Sequence, residues 1–95
     1  MDNIYYSVIA SLIFASDEPI AAADLIKAVK GLDGDEIKIS SEEIEEAVEK
    51  LNEVYDLDIH PFRIIKIAEK FTFATKPEYA KYLGYLSSER SKRRL

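Results

Sequence analysis

Apolar positions along this chain recur with two different periods, and the switch between them sorts the residues into elements. Asn3–Ala15 is apolar or aromatic almost throughout, and its polar residues Asn3, Ser7 and Ser11 recur every four positions. At about 100° per residue these three form one narrow stripe, so the segment reads as a helix that is apolar around most of its circumference. Ser16-Asp17-Glu18-Pro19 ends it with turn formers and a proline. Ile20 reads as a short extended residue. A second helix is expected from about Ala22 to Lys30, with Ala21, Leu25, Ala28 and Val29 inward and Gly31 as its stop signal. Gly31–Lys38 reads as a plain loop.

Ser40-x-x-Glu43 is a capping box, in which hydroxyl and carboxylate each satisfy a free amide at a helix start. The third helix that it opens buries Ile44, Ala47, Val48, Leu51 and Tyr55, spaced at three and four. After the breaker Asp58–Pro61 the period falls to two. Phe62–Ala68 and Phe71–Thr75 read as strands, with Glu69-Lys70 as the tight turn between them. Thr75-x-x-Glu78, with Pro77 in the first turn, predicts a fourth helix to about Leu86, and Tyr79, Tyr82, Leu83 and Leu86 share one of its faces. The order is that of an α+β winged helix-turn-helix: a three-helix core, a two-stranded β-wing and a C-terminal helix. Residues 1–86 are assigned to this domain, and 87–95 to a frayed basic linker toward a further domain.

Charge changes what such a fold is expected to do. Seven acids (Glu42, Glu43, Glu45, Glu46, Glu49, Glu53, Asp56) and one base, Lys50, lie between Ser41 and Asp56, where a DNA reader carries its recognition helix. Duplex DNA presents a phosphate charge about every 1.7 Å and is bound by neutralising it. This helix would be repelled. The whole chain carries a net charge of −5, although Arg90, Lys92, Arg93 and Arg94 make its end basic. With no cysteine, disulfides and thiolate metal sites are excluded. The apolar run Ile4–Ala15 is far shorter than the roughly 20 residues that cross a bilayer, and no basic leader precedes it. The chain is read as cytoplasmic, with no membrane contact.

Catalytic chemistry finds little support. His60 is the single histidine and has no cysteine or second histidine to work with. The acids of the third helix lie on a solvated face rather than in a cleft that would raise one pKa. Gly31-x-x-Gly34-Asp35-Glu36 lacks the Lys-Ser/Thr of a phosphate loop and the spacing of a calcium loop. No catalytic, cofactor-binding or metal-binding residue is assigned, and no enzyme activity is expected. The first helix is more telling, because an element apolar on most sides must be covered on more than one. It is either a central helix enclosed by its own chain or one whose second face meets a symmetric copy, and physics alone leaves both open. For the second case the helix pattern nominates Ile4, Tyr5, Val8 and Ile9 as dimer-interface residues. The rival reading is a DNA-binding transcriptional regulator that approaches the duplex through Lys66, Lys70, Lys76 and the basic tail.

Three stretches carry a resemblance. Phe14–Ile20, Glu42–Tyr55 with its Glu-Ala-Val-Glu-Lys-Leu-Asn core, and Phe71-Thr72-Phe73-Ala74-Thr75-Lys76-Pro77-Glu78-Tyr79 resemble the amino-terminal domain of bacterial segregation and condensation protein B. The third stretch is the most specific, because hairpin, capping box and tyrosine stand together in the expected order. Two departures are the Glu69-Lys70 turn, where the family often has glycines, and Ala21–Ala23, a less polar start for the second helix. The resemblance implies an accessory subunit of a condensin complex with a kleisin subunit and an SMC ATPase, acting in chromosome condensation and segregation. It further implies a nucleoid-associated homodimerising scaffold that meets DNA only indirectly, with kleisin contact mainly through a second winged domain.

Overall fold

The computed structural model describes the backbone of residues 3–93 and the side chains of residues 5–89. In chain order the elements are α1 (Asn3–Ala15), β1 (Ile20–Ala21), α2 (Ala22–Asp33), α3 (Ser41–Tyr55), β2 (Phe62–Ile67), β3 (Lys70–Thr75), a 3-10 turn (Pro77–Tyr79) and α4 (Ala80–Arg93). This is the expected winged helix, with one strand more in its sheet. Ile20 and Ala21 pair antiparallel with Phe71 and Lys70, giving a three-stranded sheet in the order β1-β3-β2. The two-stranded wing becomes a sheet anchored to the start of α2, because β1 runs directly into that helix.

The core is drawn from α1, α2, α3, β2 and β3: Ile9 and Ile13, Leu25 and Val29, Ile44, Ala47 and Val48, Ile64, and Phe71 are all buried. Ile39 joins them from the segment ahead of α3, where the polar surroundings had masked its role. α1 packs on α3 and β3, and α3 packs on α2 and β2. The capping box at Ser40 forms as expected: the Glu43 N–H donates to Ser40 Oγ at 3.2 Å, and the Ser40 N–H donates to Glu43 Oε1 at 3.3 Å.

Four local expectations shift. Gly31 does not stop α2; the helix runs to Asp33 and is closed by Gly34, whose φ of 115° suits glycine and whose N–H donates to the Lys30 carbonyl at 2.9 Å. The wing turn is Ala68-Glu69, one residue earlier than expected, because Ile67 pairs with Lys70 across it. Both turn residues hold positive φ, 50° and 66°, the conformation of a tight primed turn built without glycine. Thr75 does not cap the last helix, since it remains in β3 opposite Phe62; Lys76 takes the cap position of the 3-10 turn with no side-chain cap bond. Lastly, α4 does not end at Leu86 but continues to Arg93. Residues 87–93 contain no glycine or proline, and Glu, Arg and Lys are good helix formers.

Candidate interaction surface

α3 lies along β2, and three contacts in sequence order hold it there. The Glu45 carboxylate accepts from Lys66 Nζ near the start of the helix. In the middle, the Asn52 side chain exchanges two 2.9 Å hydrogen bonds with the backbone of Ile64. Near the end, Tyr55 sits edge-on to Phe62 with ring centroids 5.2 Å apart. Just beyond it, Arg63 Nε donates to Asp56 Oδ1 at 2.9 Å. The hydrogen bond from Arg63 holds the Asp56 carboxyl below the usual carboxylate range, outweighing desolvation, and the charges of Arg63 and Lys76 add to the lowering. The bond to Glu45 likewise raises the Lys66 amine, with Glu69 contributing.

These pairings bear on the nucleic-acid alternative. Of the three wing lysines that reading requires, Lys66 is paired with Glu45 and lies 5.5 Å above the Phe71 ring. Lys76 is only 8% exposed, its amine donating to the Leu57 carbonyl at 2.9 Å. Lys70 alone of the trio is exposed with no such partner described. Two of the three, Lys66 and Lys76, thus bind the acidic helix to the sheet and close its C-terminal end.

Where α3 ends, the aromatic residues of four elements converge. Tyr55, Phe62 and Phe73 form a triangle with centroids 5.2–5.6 Å apart, and Phe14 meets Phe73 at 6.2 Å. His60, expected on a surface loop, is half-buried, with its ring 5.9 Å from both Tyr55 and Phe62. The cluster floors a groove of about 370 Å³, open to solvent and walled by Ala10, Ser11 and Phe14 of α1 on one side and Ala74 and Thr75 of β3 on the other. Phe14 is 79% exposed at its rim. Burial raises the Tyr55 hydroxyl above its ordinary pKa, so the ring is neutral at physiological pH. A groove so lined suits an apolar side chain or helix face. Among the described residues no cluster of His, Cys, Asp or Glu is arranged to hold a metal ion, and no helix is long and apolar enough to cross a membrane.

The nominated interface residues fare differently from one another. Ile9 is 0% exposed, enclosed by its own chain in the center of the core, so it has no surface left for a second chain and is withdrawn from that role. Tyr5 and Val8 are half-buried against the same core, with the Tyr5 hydroxyl 3.2 Å from Asp33 Oδ2. The Ile4 side chain lies outside the described residues. Of the described α1 residues only Ile9 and Ile13 are buried; Tyr5, Tyr6, Val8, Ala10 and Leu12 are half-buried, and the groove opens toward the helix's C-terminal end. Sequence reading missed this groove because its walls come from four separate segments; the one available signal was Phe71 and Phe73 on the same side of β3, of which only Phe71 is fully buried.

The family model described as segregation and condensation complex subunit ScpB matches residues 7–95. The chain belongs to that family. A segregation and condensation protein B from Clostridium tetani (strain Massachusetts / E88) is 25% identical over 91 residues, covering 96% of this chain and 44% of that relative. A crystal structure of a conserved hypothetical protein from Chlorobium tepidum superposes with a TM-score of 0.77 at 31% identity, over 94% of this chain and 51% of that one. This ScpB-family chain thus spans about half the length of the relatives it matches. A second structure, of the dimer of the ScpB N-terminal domain complexed with ScpA peptide, has a TM-score of 0.70 over 87% of each chain; at 20% identity it shows the shared winged-helix fold.

Proposed function

We propose that this chain is a non-catalytic, homodimerising scaffold domain of a bacterial condensin, an accessory subunit that works beside a kleisin and an SMC ATPase in chromosome condensation and segregation. The observation that carries the reading is the pairing of an anionic helix, where a DNA reader is cationic, with an open aromatic groove that fits protein. Family membership and the likeness to a dimer complexed with ScpA peptide support it. In this reading the protein meets DNA only through its partners. The site is cytoplasmic and nucleoid-associated, and the exposed parts of Tyr5 and Val8 are available to border the dimer contact.

Light scattering of the chain at micromolar concentration tests the dimer: the expected mass is twice the 10.8 kDa of the monomer. A strict monomer across that range sinks the reading. A duplex-binding titration at low salt is expected to show no association, and a salt-sensitive complex would restore the transcriptional-regulator alternative.

A further inference from the structure

α4 stands away from the rest of the molecule. A compact domain of 95 residues has a radius of gyration of about 12 Å, whereas this chain has 15.9 Å and measures 52 × 30 × 22 Å. The helix packs within the chain chiefly on the 3-10 turn that precedes it. Yet it is not a polar spacer. Tyr82, Leu83 and Leu86 lie at spacings of one and three along one side, with Tyr85 beside them; Tyr82 and Tyr85 are 62% and 66% exposed. Monomeric proteins rarely leave such a stripe uncovered.

The charge pattern indicates what covers it. α4 carries Lys81, Arg90, Lys92 and Arg93 against the single acid Glu89, while α3 carries six acids against Lys50. These helices of opposite sign are of similar length, about 21 and 22 Å, and the fold keeps them apart within one chain. The aromatic groove lies at the C-terminal end of α3, and its wall residue Thr75 stands just ahead of the turn from which α4 departs. A two-fold pairing that set each arm in the other chain's groove would carry it toward that chain's acidic helix as well.

We propose that α4 is an exchanged arm: its tyrosine-leucine stripe lies in the aromatic groove of a second copy of this chain, and its basic half runs toward that copy's acidic α3. This rests on the homodimer reading above and assigns its contact surface. The occupant is a second copy rather than an unrelated peptide because the same chain supplies both the apolar stripe and the charge of each sign.

The absence of cysteine from the chain makes the test clean. Phe14→Cys and Leu86→Cys chains, prepared separately, are mixed in equal amounts and mildly oxidised. The expected product is a disulfide between unlike chains, well in excess of either like pair. In parallel, Leu83→Glu with Leu86→Glu, at exposed positions, is expected to retain the helical circular dichroism of the parent while weakening dimerisation at least tenfold. The parent dimer is also expected to weaken as salt is raised from 0.1 to 0.6 M. A dimer that forms no unlike-chain disulfide, or that the double glutamate variant leaves at full strength, overturns the exchanged arm and leaves the homodimer standing. A parent chain that is monomeric throughout overturns both.

Discussion

Asn52 reads the backbone of Ile64 as another strand would. Its amide nitrogen donates to the Ile64 carbonyl and its amide oxygen accepts the Ile64 N–H, both at 2.9 Å. β2 is an edge strand, with β3 on one side, and the helix side chain occupies the pairing positions that the missing neighbour would fill. Because Ile64 is itself a core residue, this one side chain ties α3 to the sheet. Replacing it with alanine leaves a partly buried donor and acceptor unpaired, a loss of about 1–3 kcal/mol. Asn52→Asp keeps the acceptor but sets an anion against the Ile64 carbonyl, and is expected to be at least as destabilising. Urea unfolding followed by circular dichroism measures both; an unchanged midpoint for the aspartate variant would show that the donated bond contributes nothing.

The wing turn holds two non-glycine residues at positive φ, Ala68 and Glu69. That conformation costs roughly 1 kcal/mol or more for each side-chain-bearing residue, and Asn-Gly is the pair that adopts it with least strain. Ala68→Asn with Glu69→Gly is therefore expected to raise stability by about 1–2 kcal/mol. The exposed Lys66–Glu69 contact at 3.6 Å is lost in the exchange, a small term for a surface pair. Thermal unfolding should register a gain of several degrees, since about 1 kcal/mol moves the midpoint of a domain this size by roughly 4–8 °C.

Gly31 and Gly34 make opposite predictions three residues apart. Gly31 is in α2, with open space where a Cβ would stand, so Gly31→Ala is expected to stabilise by about 0.5–1 kcal/mol through helix propensity. Gly34 closes the helix at φ 115°, and Gly34→Ala is expected to destabilise by about 1–2 kcal/mol because an L side chain resists that conformation. Denaturant midpoints of the two variants should fall on either side of the parent.

Lys76 donates to the Leu57 carbonyl just beyond the C-terminal end of α3, where a cation also meets the negative end of the helix dipole. Lys76→Met keeps the apolar stem and removes the amine, with an expected loss of about 1–2 kcal/mol. A stability change of that size, read by urea unfolding, fits a lysine that holds structure rather than one held ready for phosphate.

Asp56 offers a pH prediction with a definite sign. Its folded carboxyl lies below the ordinary value of about 3.9, chiefly through the hydrogen bond from Arg63. At neutral pH the group is charged in both folded and unfolded chains, and its contribution to stability is fully present. As pH falls below about 4 the unfolded chain takes up the proton first, and the contribution fades until pH passes the folded value. Carbon-detected NMR titration of the carboxyl in the parent and in Arg63→Gln checks this: the variant's value should be higher, and an identical value would show that Arg63 is not the cause.

Local features were legible in the residues alone where the physics is local. The Ser40–Glu43 capping box needs only neighbours within one turn, and it forms. The acidic outer face of α3 follows from helical spacing, and Glu42, Glu45, Glu46, Glu49 and Glu53 are all exposed. Signals with two equally good readings went astray. Gly31 and Gly34 are both plausible stops, and only the backbone closing on Lys30 chooses between them. A turn without glycine or asparagine carries no marker in the sequence, and only the Ile67–Lys70 pair places it at Ala68-Glu69.

From its residues, the chain determined its helices and strands, the winged order in which they follow one another, and the anionic charge of the outer face of α3. These depend on spacing and on side chains close by in sequence. Which apolar surfaces are sealed and which stay open was decided only in three dimensions. Ile9 and the stripe on α4 look equally greasy in the sequence; one is enclosed by helices and strands far along the chain, while the other packs chiefly on the turn it grows from and stays largely exposed. Burial is a property of what converges on a residue, and that convergence has no trace in the residue's own neighbours.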